Sequence, residues 1–168
     1  MRLNEVEKLF SDTEAAEPEP MKREEILEQY QRTFTVINRK LFNNELPPIM
    51  IDYPEGDPEK WAWLKCAACF SFIEKTQEPV ILLQFIFGPE YGISTEDIDD
   101  LCHELIHYFC YLHDIKDMDR DKAEQYHNMD FKKTAETFGA TCKYLDDAHG
   151  YTDTHWPDNI LAAIFDEI

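Results

Sequence analysis

The sequence predicts an α+β domain. A long amphipathic helical pattern opens the chain after residue 20, short β-rich runs follow, and capped helical patterns close it. A chain of 168 residues, 43% of them apolar, suits one domain with one core. Residues 1–20 read as an acidic N-terminal segment: a short helix over residues 3–10, then a linker, SDTEAAEPEP, without aromatics. The folded domain is expected over residues 21–168.

From Met21 to Phe42, apolar residues recur at three- and four-residue steps: Ile26, Tyr30, Phe34, Ile37 and Leu41. Asn43-Asn44 and Pro47-Pro48 end that helix. Three strand candidates follow, over Ile49–Tyr53, Lys65–Glu74 and Val80–Phe87, for a sheet of three to four strands. Residues 54–58 form a loop and Gly88-Pro89 stops the third strand. Ser94 is a helix N-cap, with Glu96 and Asp97 suiting the first-turn dipole of a helix that runs to about Asp114. After a polar loop, a helix spans roughly Asn128 to Phe138, with Gly139 just past its end. A last helix is expected over Pro157 to Glu167.

The formal net charge is -19, from 35 acidic against 16 basic residues. Phosphate contacts need Lys and Arg, so this argues against direct nucleic-acid binding and against an anionic membrane surface. No stretch is long and apolar enough to span a bilayer. Residues 1–10 lack the apolar run of a secretion signal, and five irregularly spaced cysteines suit free thiols in a cytoplasmic compartment.

One helix carries chemistry: His103-Glu104-Leu105-Ile106-His107. Residues four apart on a helix lie about 40° apart in projection, so both imidazoles can reach one ion. The intervening Glu104 points elsewhere and can reach a water instead. Zinc lowers the pKa of its water towards about 7, and a carboxylate there can take the proton. Ile98, Leu101, Leu105, Phe109 and Leu112 share the apolar side that anchors the helix, which leaves the histidine pair facing a cleft.

A catalytic zinc normally has three protein ligands. His113 stands at the metzincin count from His103, but Cys110 occupies the place of the Gly that turns that motif out of its helix. His127 is the better candidate, at a helix entrance beside the capping residue Asn128, with Phe131 packing inward. Glu124 or Glu136 would serve in a gluzincin arrangement, although neither stands out. His149 and His155 are either substrate-side or simply exposed.

The order LFNNELPP, strands, HELIH, then YHNMDFKKTAETFG resembles the SprT-like zinc metallopeptidase family, which includes bacterial SprT and the Spartan proteases. The matching residues are Asn44-Glu45-Leu46-Pro47, then His103, Glu104 and His107, then His127, Asn128 and Phe131. They span roughly residues 24–145, and the feel is closest to the short phage and prophage versions. The resemblance implies a small zincin-like domain, with Zn2+ held by His103, His107 and His127 and with Glu104 as general base. The eukaryotic relatives degrade proteins crosslinked to DNA; this chain's acidity and its lack of two CxxC pairs set it apart from them. Cys66, Cys69, Cys102 and Cys110 read as small core residues, since side chains three apart on a strand face opposite ways. Trp61 and Trp63 read as core or rim aromatics.

The function expected is peptide-bond hydrolysis on a protein or peptide substrate, whose strand would add to the exposed sheet edge. The alternative is an acidic binding or inhibitor protein, possibly a DNA mimic, on a peptidase scaffold with structural zinc or none.

Overall fold

Helix α1, Arg23–Leu41, buries Ile26, Tyr30, Phe34 and Ile37, the stripe its spacing predicts. Glu24 and Glu25 sit at its positive end and Arg39 and Lys40 at its negative end, as the dipole favours. Beyond it Asn43 and Asn44 both turn left-handed, with φ of 52° and 60°. Asparagine tolerates that region better than most residues.

The turn that follows is fastened by Asn38. Its buried side-chain amide donates to the Leu46 carbonyl at 2.8 Å and its side-chain oxygen accepts the Leu46 N–H at 3.1 Å. Leu46 is thereby fixed in the core, 3% exposed.

The computed structural model describes residues 21–52, 68–83, 92–123 and 125–168. The expected helix over 3–10, the linker, the 54–58 loop, Trp61, Trp63, Cys66, Gly88-Pro89 and Glu124 lie outside the described residues, as do the strand ends at Tyr53, 65–67 and 84–87.

Three strands, β1 (Met50–Asp52), β2 (Ala68–Phe72) and β3 (Pro79–Leu83), form a sheet in the order β1-β3-β2. β1 runs parallel to β3 and β2 antiparallel to it. β3, in the middle, is the most apolar, and Ile81 at its centre is fully buried.

Helix α2, Thr95–Leu112, packs on β2 and forms the centre of the core. Ile98, Leu101, Cys102, Leu105, Ile106 and Cys110 are all sealed from solvent. Ser94 and Asp97 make a reciprocal cap: Asp97 N–H donates to Ser94 Oγ at 3.2 Å and Ser94 N–H to Asp97 Oδ2 at 2.7 Å. Leu112, expected on the apolar side, is instead a surface residue, because the helix ends there. Cys102 and Cys110 are core residues, whereas Cys69 is half-buried.

Helix α3, Met129–Thr137, is capped by Asn128, whose side-chain oxygen accepts N–H groups of Asp130 and Phe131. A two-stranded hairpin of β4 (Thr141–Lys143) and β5 (Asp153–His155) follows, then α4, Asp158–Phe165. The hairpin was not expected. Its strands have three residues each and lie nine residues apart, too short to show alternation. The mixed helices and small sheets make an α+β architecture. Among the described residues no helix is long and apolar enough to cross a membrane.

Asn38→Ala strips the Leu46 backbone of both partners in a buried turn. The expected loss is about 1–3 kcal/mol of stability, read as a lower urea midpoint at unchanged m-value.

Candidate metal centre

His103 and His107 stand one turn apart on α2, and His127 comes in just before α3. Their Nε2 atoms form a near-equilateral triangle: 3.2 Å from His103 to His107, 3.2 Å from His103 to His127 and 3.0 Å from His107 to His127.

The opposite nitrogen of each ring decides what these short distances mean. His107 Nδ1 lies 2.5 Å from an Asp117 carboxylate oxygen, and His127 Nδ1 lies 2.9 Å from the Gln125 carbonyl oxygen. A carboxylate and a carbonyl only accept, so both Nδ1 atoms carry the proton. Two neutral imidazoles then aim bare Nε2 lone pairs at each other across 3.0 Å. His103 completes the set, with Nδ1 at 2.6 Å from the Thr154 hydroxyl. Convergent lone pairs repel unless a cation lies between them. Tetrahedral coordination at Zn–N lengths of ~2.0–2.1 Å sets two nitrogens about 3.3 Å apart, close to the triangle found. The three histidines could therefore hold one metal ion.

The surroundings favour neutral rings at His103 and His127. Burial, then the neighbouring His107 and His127, pulls His103 well below the usual histidine range. Burial, then His107, pulls His127 down to about 4. Burial works the same way on His107, but the Asp117 hydrogen bond with the charges of Glu104 and Asp117 outweighs it and raises that ring. Phe131, sealed in the core, lies against all three rings, with centroids 4.9, 4.8 and 4.5 Å from those of His103, His107 and His127. It closes the inner side of the cluster with apolar surface.

Glu104 is 7% exposed. One of its oxygens accepts the Phe70 N–H of β2 at 2.5 Å. Burial is the main reason its carboxyl rises to about 8; Cys69 and Asp100 add to that, while His107 and the Phe70 bond oppose it. With His103 it lines a cleft of about 230 Å³ between α2 and β5.

The backbone of His127 is held as firmly as its ring. Its N–H donates to the His149 carbonyl at 2.9 Å and its own carbonyl accepts from Tyr151 N–H at 3.0 Å. Gly150 sits between, with φ of +65°, and a Cβ there would lie 2.1 Å from the His127 carbonyl oxygen. No residue but glycine fits.

The other candidates are placed elsewhere. His113 caps the end of α2, stacks on Phe109 at 4.1 Å and pairs with Glu45 at 3.2 Å. Glu136 is exposed and pairs with Lys132. His149 is half-buried beside Asp146. His155 is exposed, but it borders the cleft, held between Asp99 and Asp153. Asp117, Thr154 and Gly150 escaped sequence reasoning. Asp117 is one acid among many in a polar loop, and the other two lie in the hairpin that was not expected.

Comparison with protein-family models, with curated proteins and with solved structures finds no match for this chain.

Two outcomes follow from the support of the rings. Asp117→Asn should weaken metal affinity about 10–100-fold, measured by competition with a chromophoric chelator. Gly150→Ala should abolish stoichiometric metal binding. Gly139→Ala is its control: φ there is also positive, +92°, but the nearest atom to a new Cβ is Ile160 Cδ1 at 3.8 Å. That variant should lose only about 1–2 kcal/mol of stability and keep its metal.

Proposed function

We propose that this chain is a zinc-dependent metallopeptidase of zincin-like fold, related to the SprT-like family, acting on a protein or peptide substrate. One observation carries the reading: a buried carboxylate, Glu104, borders the same cleft as His103, which converges with the buried His107 and His127 on a common point. The three motifs that resemble SprT-like sequences support it, in their order along the chain.

His103, His107 and His127 would hold the ion, and three neutral nitrogens suit zinc and leave a coordination position open. When bound, zinc supplies a Lewis acid that acidifies water and polarises a carbonyl. The positive charge of a bound ion would keep the Glu104 carboxyl ionised despite its burial, so that it would take the water's proton and pass it to the amine nitrogen as the peptide bond breaks. The Phe70 N–H anchors one Glu104 oxygen and so fixes where the proton is received. Asp117 and the Gln125 carbonyl hold the tautomers of His107 and His127, and Thr154 orients the His103 ring. Four free thiols among the described cysteines suit work in a reducing cytoplasm.

The net charge of -19 favours a second reading, an acidic binding or inhibitor protein with structural zinc or none. A structural site has no use for a buried carboxylate at a cleft, which is costly to keep there.

Zinc content and peptide cleavage, measured on wild type and on Glu104→Gln, separate the two. The expected result is equal zinc in both, with cleavage by wild type, suppressed by chelation and restored by Zn2+, and at least ~100-fold slower in the variant. Equal zinc and equal performance of both chains in the same job would sink the peptidase reading.

A further inference from the structure

The cleft beside the candidate centre runs from His103 and Glu104 to the carboxylates of Asp99, Asp100 and Asp153. Among the described residues no Lys or Arg lines it, and besides His103 of the candidate centre its one imidazole is His155. That imidazole is shared, with Nδ1 at 2.9 Å from Asp99 and Nε2 at 2.9 Å from Asp153. Asp99 also accepts the Trp156 N–H at 2.9 Å. Asp100 has neither hydrogen bond nor ion pair among the described residues, although it is half-buried. Burial, then Asp99 and Asp97 beside it, pushes its carboxyl up to about 6. The lining keeps an excess of negative charge even with His155 protonated.

The cleft's volume of about 230 Å³ falls below the ~300–1,000 Å³ of drug-sized ligand sites. It suits one extended side chain. A long aliphatic stem with a cation at its tip fits such a slot: the tip meets the acids and the stem passes the apolar wall, where Ala68 of β2 contributes no bulk.

We infer that this cleft receives a Lys or Arg side chain of the substrate, adjacent to the bond positioned at the candidate metal centre, with Asp100 and Asp153 as the residues that select it. This rests on the metallopeptidase reading and narrows it to basic substrates. The acids stand within the same cavity as His103 and Glu104, so selection and chemistry share one site. An acidic or phosphorylated side chain would meet like charge there.

The test uses the full-length, zinc-loaded chain and peptides identical except for one position, set to Lys, Arg, Leu or Glu. Binding is read by fluorescence anisotropy on Glu104→Gln, where no turnover interferes, and cleavage on wild type by mass spectrometry. Lys and Arg peptides should bind at least about tenfold tighter than Leu, with Glu weakest, and cleavage should fall at a fixed step from the basic residue. In Asp100→Asn/Asp153→Asn the basic-to-Leu ratio should shrink to about twofold, with zinc stoichiometry as the check on folding. Asp100→Asn alone should lower the ratio part-way if the double variant does not fold. Equal binding of all four peptides overturns the inference. So does a basic preference that survives the substitutions, since it would belong to the general surface charge. Cleavage without basic preference removes the pocket and leaves the peptidase. Selective binding through Asp100 and Asp153 with no cleavage at all removes the peptidase and leaves the pocket.

Discussion

The centre of this molecule is an electrostatic conflict. Three imidazole nitrogens are held 3.0–3.2 Å apart, and for at least two of them the hydrogen-bonding partner on the far side of the ring leaves a bare lone pair facing inward. No arrangement of neutral rings alone is comfortable with that. A divalent cation turns the same geometry from repulsive to strongly attractive, and the surrounding structure is arranged to keep the rings where the cation needs them. α2 is sunk in the core so that its two histidines cannot drift, Phe131 walls the cluster from inside, and each outer nitrogen is engaged by a different piece of chain.

The same arrangement explains the position of Glu104. A carboxylate this deeply buried needs a compensating partner, and strand β2 provides one N–H. That single bond ties the sheet to the helix at the cleft. It links the fold's two layers to the group best placed to move a proton. Structure and candidate chemistry meet at that one contact.

Much of this was legible in the sequence because it rests on local periodicity. The stripe Ile26, Tyr30, Phe34, Ile37 and the Ser94 and Asn128 caps are rules of helix geometry, and the four-residue spacing of His103 and His107 is another. His127 was legible through its neighbours: a cap residue and an inward phenylalanine mark where a chain enters a helix. What stayed hidden depends on contacts distant in sequence. Asn38 reads as one more polar residue on a helix, and nothing local says that it fastens Leu46. Thr154 supports His103 from 51 residues away. Gly150 reads as a loop glycine, and only the backbone of His127 lying against it explains why no side chain fits. Leu112 misled for the opposite reason: periodicity continued to the last turn, while burial stopped before it.

The cluster's supports have a consequence for how the chain assembles. α2 supplies two ligands early, but the third is braced by Gly150 and Tyr151 and the first by Thr154, all near the end of the sequence. Contacts of such long sequence separation form late, after the loop entropy between them has been spent. A chain still emerging from synthesis, with Gly150, Tyr151 and Thr154 not yet available, has its two-histidine helix but lacks the brace that sets the triangle. Completion of the ion-binding geometry thus reports that the C-terminal hairpin has docked.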